Sequence, residues 1–268
     1  MGKVLHTFEG TTCVDTWMQA IEYLLPVETT CNVILGIEKP LEVSPTDYKI
    51  QAHVNDFFIR YGALPISTIA TTIFPGSEYL HGGAHDVYEE FPKTFDQIRE
   101  GWGTYAMRLL TKSLPTSDGT TLQSPLQQLV SKMKRQRETT KMRSVYEVSL
   151  IEDEDLMAAD IPIYKASKDS RYIRGGPCLS HLSFKLLPNA TVTLAATYRY
   201  HYYVQRALGN LFGLAQLLDF VASEVGGQAG PLVCHSTYAK VDTDNGWSTA
   251  DVRQLVAECR QLTAEQVA

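Results

Sequence analysis

The sequence predicts an α+β fold, on three observations. After the turn residues Gly175, Gly176 and Pro177, the apolar side chains Leu182, Phe184 and Leu186 alternate with polar neighbours, which is the period of a strand. Two further runs, Cys31–Ile37 and Leu194–Tyr203, are short, apolar and rich in β-branched or aromatic residues. Between and after them, apolar residues recur every three to four positions, as on one face of a helix: over residues 48–62, from Leu211 to Ala222, and from Val252 to Cys259.

The elements follow in order. Residues 1–40 read as strand, helix, strand. Asp15 caps the helix, Trp17, Ala20, Ile21 and Leu24 form its buried face, and Pro26 ends it. Over residues 48–62, Ile50, Val54, Phe57, Phe58 and Tyr61 mark a helix that Gly62 stops. Residues 65–100 are irregular, with a glycine-rich turn between His81 and His85. Pro115 to Pro125 reads as a polar linker. A helix follows with Leu126, Leu129, Val130 and Met133 on one face and Lys132, Lys134, Arg135 and Arg137 as its basic part, then a strand from Ser144 to Leu150. Residues 151–176 form an acidic stretch (Glu152, Asp153, Glu154, Asp155) and a polar loop. Asn210 opens the long apolar helix, and residues 243–268 form a last helix capped by Ser248 or Thr249.

The totals narrow the function. At 268 residues the chain suits a single domain, 1–268, and it holds no internal repeat. A net charge of −6 argues against a general nucleic-acid binder. No apolar run approaches the ~18 residues of a membrane span, so no membrane is expected. The N-terminus lacks the apolar core of a signal peptide. Cys13, Cys31, Cys178, Cys234 and Cys259 are odd in number, widely spaced and form no Cys-x-x-Cys, as expected of free thiols in a reducing cytoplasm. The histidines have no ligand spacing, so no metal is expected, and no glycine-rich phosphate loop occurs.

Chemistry concentrates from Cys178 onward. A thiol where a rigid turn enters a strand has a fixed direction and one open side, which suits a nucleophile. Taken alone, Cys178 reads as a small buried hydrophobe; its neighbours change that. Arg199 offers a planar fork for a phosphate, and Asn210, eleven residues on, offers one acceptor and two donors for the edge of a nucleobase. Together they outline a nucleotide site.

These residues resemble the thymidylate synthases and the related pyrimidine nucleotide hydroxymethylases, most strongly over residues 126–242. Pro177-Cys178 resembles the family's nucleophile loop. Tyr198-Arg199, then Asn210-Leu211 and Gly213-Leu214-Ala215, resemble its phosphate arginine and pyrimidine asparagine. The segment through Gly230-Pro231-Leu232 to Ser236-Thr237-Tyr238 resembles the one that ends in its ribose-binding tyrosine. Gly101 to Leu109 resembles a Gly-x-x-Tyr-Gly-x-x-Arg segment with Ala106 at the second glycine, which brings in Tyr105 and Arg108.

The resemblance implies a mixed twisted β-sheet with packed helices, paired face to face in a homodimer. It implies C5 one-carbon transfer on a pyrimidine nucleoside monophosphate, with 5,10-methylenetetrahydrofolate as cofactor. Cys178 and Tyr105 would be catalytic, with a glutamate for which Glu78 stands first and Glu89 and Glu90 are alternatives. Arg199, Asn210, Tyr238 and Ser236 would bind substrate. Lys141 and Arg143 would reach the phosphate bound by the partner. Three departures favour hydroxymethylation over methylation: Leu179 where histidine is frequent, Tyr200 and Tyr202 where serine and a folate-binding aspartate are common, and a C-terminus, Glu265 to Ala268, unlike the family's closing tail. The same departures leave an alternative, a nucleotide-binding or sensor protein on this fold.

Overall fold

The computed structural model describes residues 4–95, 104–116, 119–138, 146–150 and 178–264. Its centre is an open, mixed sheet. The strands are β1 (His6–Gly10), β2 (Thr29–Ile37), β5 (Glu147–Ser149), β6 (Leu179–Leu186), β7 (Thr191–Tyr198), β8 (His201–Tyr202) and β9 (Gln228–Lys240). Their order is β1-β2-β9-β7-β6-β5, with β8 beside the end of β9. A separate hairpin joins β3 (Lys112–Thr116) to β4 (Gly119–Gln123).

Two parallel pairs require crossovers, and each has a helix. Helix α1 (Cys13–Val27) joins the parallel pair β1 and β2. Helix α8 (Ala207–Val225) joins β7 to its parallel neighbour β9, by way of β8. Both helices lie on one face of the sheet, where α2 (Pro45–Arg60), α3 (Ile66–Thr71), α4 (Gly76–His85) and α9 (Thr249–Ala264) complete the layer. The smaller helices are α5 (Phe91–Phe95), α6 (Tyr105–Leu110) and α7 (Pro125–Arg137).

Side-chain alternation divides the sheet. One register row, Leu35, Cys234, Ala196, Leu182 and Val148, crosses five strands and is buried throughout. The next row, Gly36, Val233, Ala195, Ser183 and Glu147, points the other way, and Val233 is 38% exposed. Among the described residues no helix covers that second face. No described helix is long and apolar enough to cross a membrane.

Several sequence expectations change. Thr12, not Asp15, caps α1: its hydroxyl accepts from the Asp15 amide, while Asp15 accepts from Thr11. Pro26 lies inside the last turn of α1 and does not end it. Residues 66–71 and 76–95 are helical. The glycine-rich stretch sits within α4, kinked at Gly83 (φ 66°), and runs through a π-helical turn at Asp86–Glu90 into α5. The polar linker contains the β3–β4 hairpin, whose polar sequence hid its pairing. The aromatic run after Leu194 breaks after Tyr198 and resumes as β8. Residues 139–145, 151–177 and 265–268 lie outside the described residues, and with them Lys141, Arg143 and the acidic loop.

Helix α8 is held close to α3 by two glycines one turn apart. A Cβ at Gly209 would stand 2.6 Å from Ile69 Cβ, and one at Gly213 would stand 2.6 Å from the Ala70 carbonyl oxygen. The rest of α8 is almost wholly buried, with Leu211, Leu214, Leu217, Leu218 and Val221 at 0% exposure. This packing fixes the helix start, where Arg206 and Asn210 sit.

Candidate functional site

Cys178 is half-buried and immediately precedes β6. Its backbone is clamped from two sides. The Cys178 carbonyl accepts from the Arg199 amide at 2.8 Å, and the next amide, Leu179 N–H, donates to Tyr105 Oη at 3.4 Å. Tyr105 comes from the first turn of α6, which Thr104 caps by accepting from the Met107 amide. The structure thus brings together Cys178, Arg199 and Tyr105, three of the residues singled out from sequence.

Burial pushes the Cys178 thiol above its ordinary pKa, and the charges of Arg199 and Arg206 pull it back without reversing the shift. The Tyr105 hydroxyl is also raised, first by burial and then by the neighbouring thiol, while Arg206 opposes this. Arg206 is therefore a second cation at the thiol, and the sequence reading did not include it. The signal was its spacing: it stands four residues before Asn210, one helical turn away, at the start of α8.

Asn210 lies within the first turn of α8, which starts at Ala207, so it does not open the helix. Its amide N–H donates to the Arg206 carbonyl, and its side chain is buried at 5% exposure. The side-chain Nδ2 lies 3.0 Å from His201 Nε2. His201 Nδ1 in turn lies 2.9 Å from Ser236 Oγ, and Ser236 Oγ lies 3.0 Å from Tyr203 Oη. Burial holds the His201 imidazole far below its usual range, to about 3, so the ring is neutral. The ring of Tyr198 stacks on it, 4.0 Å between centroids and 4° from parallel. The Tyr198 hydroxyl is buried with no hydrogen-bond partner, among groups that include Tyr105 and Cys178.

Ser236 is fully buried and spends its hydroxyl on His201 and Tyr203, so the structure places it behind Asn210 and not on an open surface. The reason is register: Ser236 pairs with Tyr198 on the helix-covered face. Tyr238 stacks on Tyr200, 4.9 Å between centroids, and Tyr200 meets Tyr202 edge to face at 5.2 Å. Glu78 bonds to Ser77 and sits on α4, whose Gly76 and Tyr79 meet Gln216 and Phe220 of α8, well up the helix from Asn210. The structure does not bring it into the Cys178 group. Glu89 and Glu90 lie on the exposed side of the π-helical turn. Arg108 donates to the Leu150 carbonyl at 3.2 Å.

The turn before α8 has its own anchor. Asp242, 1% exposed, accepts from the Val204 amide at 2.9 Å and the Gln205 amide at 3.2 Å, and its carboxyl is pushed up to about 6 by burial. Trp17 Nε1–H donates to the Tyr203 carbonyl at 2.8 Å. These contacts leave little freedom in the residues that carry His201, Tyr203 and Arg206. Of the other cysteines, Cys13, Cys234 and Cys259 are buried, with the Cys234 and Cys259 thiols pushed up to about 12, and Cys31 is exposed. Among the described residues, only Cys178 combines partial exposure with neighbouring cations.

No protein-family model matches the chain, and no curated protein matches it significantly.

Proposed function

We propose that the chain catalyses C5 one-carbon transfer on a pyrimidine nucleoside monophosphate, hydroxymethylation in preference to methylation. The observation that carries this reading is the placing of a half-buried thiol, Cys178, beside two arginine charges and a tyrosine hydroxyl, with a buried, hydrogen-bonded carboxamide, Asn210, joined to it through the stacked pair His201 and Tyr198. The two arginine charges favour the thiolate against the opposing effect of burial, and a carboxamide on a rigid helix is suited to reading a base edge.

In this reading Arg199, with Arg206 beside it, holds the phosphate. The Cys178 thiolate adds to C6 of the ring, and the electron pair of the C5–C6 double bond passes onto the carbonyl side, making C5 a carbon nucleophile. After C5 has bonded the one-carbon unit it loses its proton, water adds to that carbon and supplies the hydroxyl oxygen, and expulsion of the thiolate restores the C5–C6 double bond. Tyr105, hydrogen-bonded beside the thiol, is placed to relay that proton. Tyr238 contacts the sugar.

The one-carbon donor in this reading is 5,10-methylenetetrahydrofolate. The described residues do not make a pterin site: Tyr202 stands where the resemblance asks for an aspartate, its ring packed against Tyr200 with the Lys240 ammonium 5.8 Å from its centroid. The open sheet face, with Gly36, Val233 and Ala195 along one row, supports a face-to-face homodimer, and the unpaired cysteines support a cytoplasmic setting.

The test is product mass. dUMP, dCMP, UMP and CMP are each incubated with the protein, with and without methylenetetrahydrofolate. A hydroxymethyl product from one nucleotide supports the reading, and a methyl product corrects its second half. The aromatic cluster of Tyr200, Tyr202 and Tyr238 favours one other reading, a nucleotide-binding or sensor protein that has lost transfer. Tight nucleotide binding with unchanged nucleotide in every reaction would select it.

A further inference from the structure

We infer that the chain Tyr203–Ser236–His201 locks the Asn210 carboxamide in one orientation, so that the site accepts one pyrimidine base and rejects the other. The inference rests on the nucleotide reading for its ligand, but the lock itself follows from hydrogen-bond counting among four buried side chains.

Each group in the chain has few partners. Tyr203 is fully buried, and its hydroxyl meets only Ser236 among the described residues. Ser236 meets Tyr203 and His201, and the two imidazole nitrogens meet Ser236 and the Asn210 amide. A neutral imidazole carries one N–H, so the chain has two possible directions. If Nδ1 holds the hydrogen, it donates to Ser236, and one hydroxyl hydrogen is left buried with no acceptor: that of Tyr203 if Ser236 donates to Tyr203, that of Ser236 if Tyr203 donates to Ser236. If Nε2 holds it, Tyr203 donates to Ser236, Ser236 donates to Nδ1, and Nε2–H donates to the amide atom beside it. Only the second direction gives every buried hydrogen an acceptor.

The second direction makes the amide atom next to His201 the oxygen. Nitrogen and oxygen of a carboxamide have the same outline, so the neighbours decide between them. Asn210 Oδ1 then faces His201, and its NH₂ takes the other end, which is not among the buried atoms lacking a partner. The base-facing edge of the amide therefore has its acceptor and donor in fixed order. Uracil presents a carbonyl acceptor at C4 and an N–H donor at N3; cytosine presents an amino donor at C4 and a bare acceptor at N3. One order of the amide matches one of these edges and opposes the other at both positions. His201 is a positioning residue here, since it acts through Asn210.

Two measurements test this, one without any nucleotide. The ¹⁵N shifts of the His201 ring, assigned through its contact with Tyr198, report the tautomer in the free protein. The expected result is Nε2–H; Nδ1–H would overturn the lock. The second measurement is the ratio of dUMP to dCMP dissociation constants by calorimetry, in wild type, Ser236→Ala and Tyr203→Phe. Ser236→Ala removes the donor to Nδ1 and frees the tautomer. Tyr203→Phe removes a neighbouring hydroxyl of the same network but leaves Ser236 with Nδ1 as its acceptor. The wild type should prefer one base on the order of 100-fold, Tyr203→Phe should keep that preference, and Ser236→Ala should lose at least ~10-fold of it. Equal ratios in wild type and Ser236→Ala overturn the lock, and parallel losses in both variants reduce Ser236 to a packing role and overturn it too. If dUMP, dCMP, UMP and CMP all fail to bind, the nucleotide reading falls and base selection with it, while the tautomer still reports on the hydrogen-bond chain alone.

Discussion

The rings of Tyr198 and His201 lie face to face, 4.0 Å between centroids and 4° from parallel. Tyr198 is the last residue of β7, next to Arg199, whose amide bonds to the Cys178 carbonyl. His201 bonds to Asn210 on α8. One stacked pair thus joins the thiol half of the site to the carboxamide half, and a change at either ring is felt at both.

His201 should give the protein a pH-dependent stability. Its folded pKa is near 3, against an ordinary value of 6.5. Between these values the unfolded chain binds a proton that the folded chain does not, so stability is full above pH 6.5 and is lost as pH falls through the window. The slope is at most ~1.4 kcal/mol per pH unit. Urea unfolding at pH 7, 6 and 5 should show this slope in the wild type and its loss in His201→Gln, which also costs baseline stability. Equal slopes would place the imidazole in water.

Asp242 works in the opposite direction. Its folded pKa is raised to about 6 from 3.8, so the folded chain holds a proton that the unfolded chain releases. The stabilising contribution is full below about pH 4 and is lost as pH rises to about 6. Asp242→Asn should remove this slope and so steepen the acid loss caused by His201. A variant whose stability curve keeps the wild-type shape would contradict the assignment.

The reactivity of Cys178 is measurable without any substrate. In a Cys31→Ser background, which removes the exposed thiol, alkylation by iodoacetamide should report Cys178. Its pH–rate profile should be centred above that of an ordinary thiol, because burial outweighs the arginines. Arg206→Gln and Arg199→Gln should each move it further up. A profile unmoved by Arg206→Gln would remove that residue from the site.

Gly213→Ala should lower stability by ~1–3 kcal/mol, because the added methyl meets the Ala70 carbonyl and Ile73. Thermal unfolding checks this. A neutral or stabilising effect, as expected of alanine in an open helix, would show that α3 and α8 leave room for a methyl group there.

The parts of this molecule that were legible in the sequence are those set by local pattern. Alternation in β6 and the periodic faces of α2 and α9 follow from spacing along the chain. Cys178 and Arg199, grouped from the sequence as candidates, are neighbours in the fold, where the Arg199 amide bonds to the Cys178 carbonyl. His201 was hidden within an aromatic run, and nothing local says that position 201 turns inward while 200 and 202 turn out. Ser236 was expected at the substrate, and its burial was not legible, because only pairing with Tyr198 puts it on the covered face. The hairpin at 112–123 was missed because its polar strands carry no hydrophobic alternation.

The measurement that bears most directly on the central claim is release of tritium from C5 of labelled dUMP, dCMP, UMP and CMP, by wild type and by Cys178→Ala. Thiolate addition at C6 labilises the C5 hydrogen even without a one-carbon donor. The expected result is release from one nucleotide by the wild type and none by Cys178→Ala. No release from any nucleotide by folded wild-type protein, or equal release by Cys178→Ala, would contradict the claim that Cys178 attacks a pyrimidine ring.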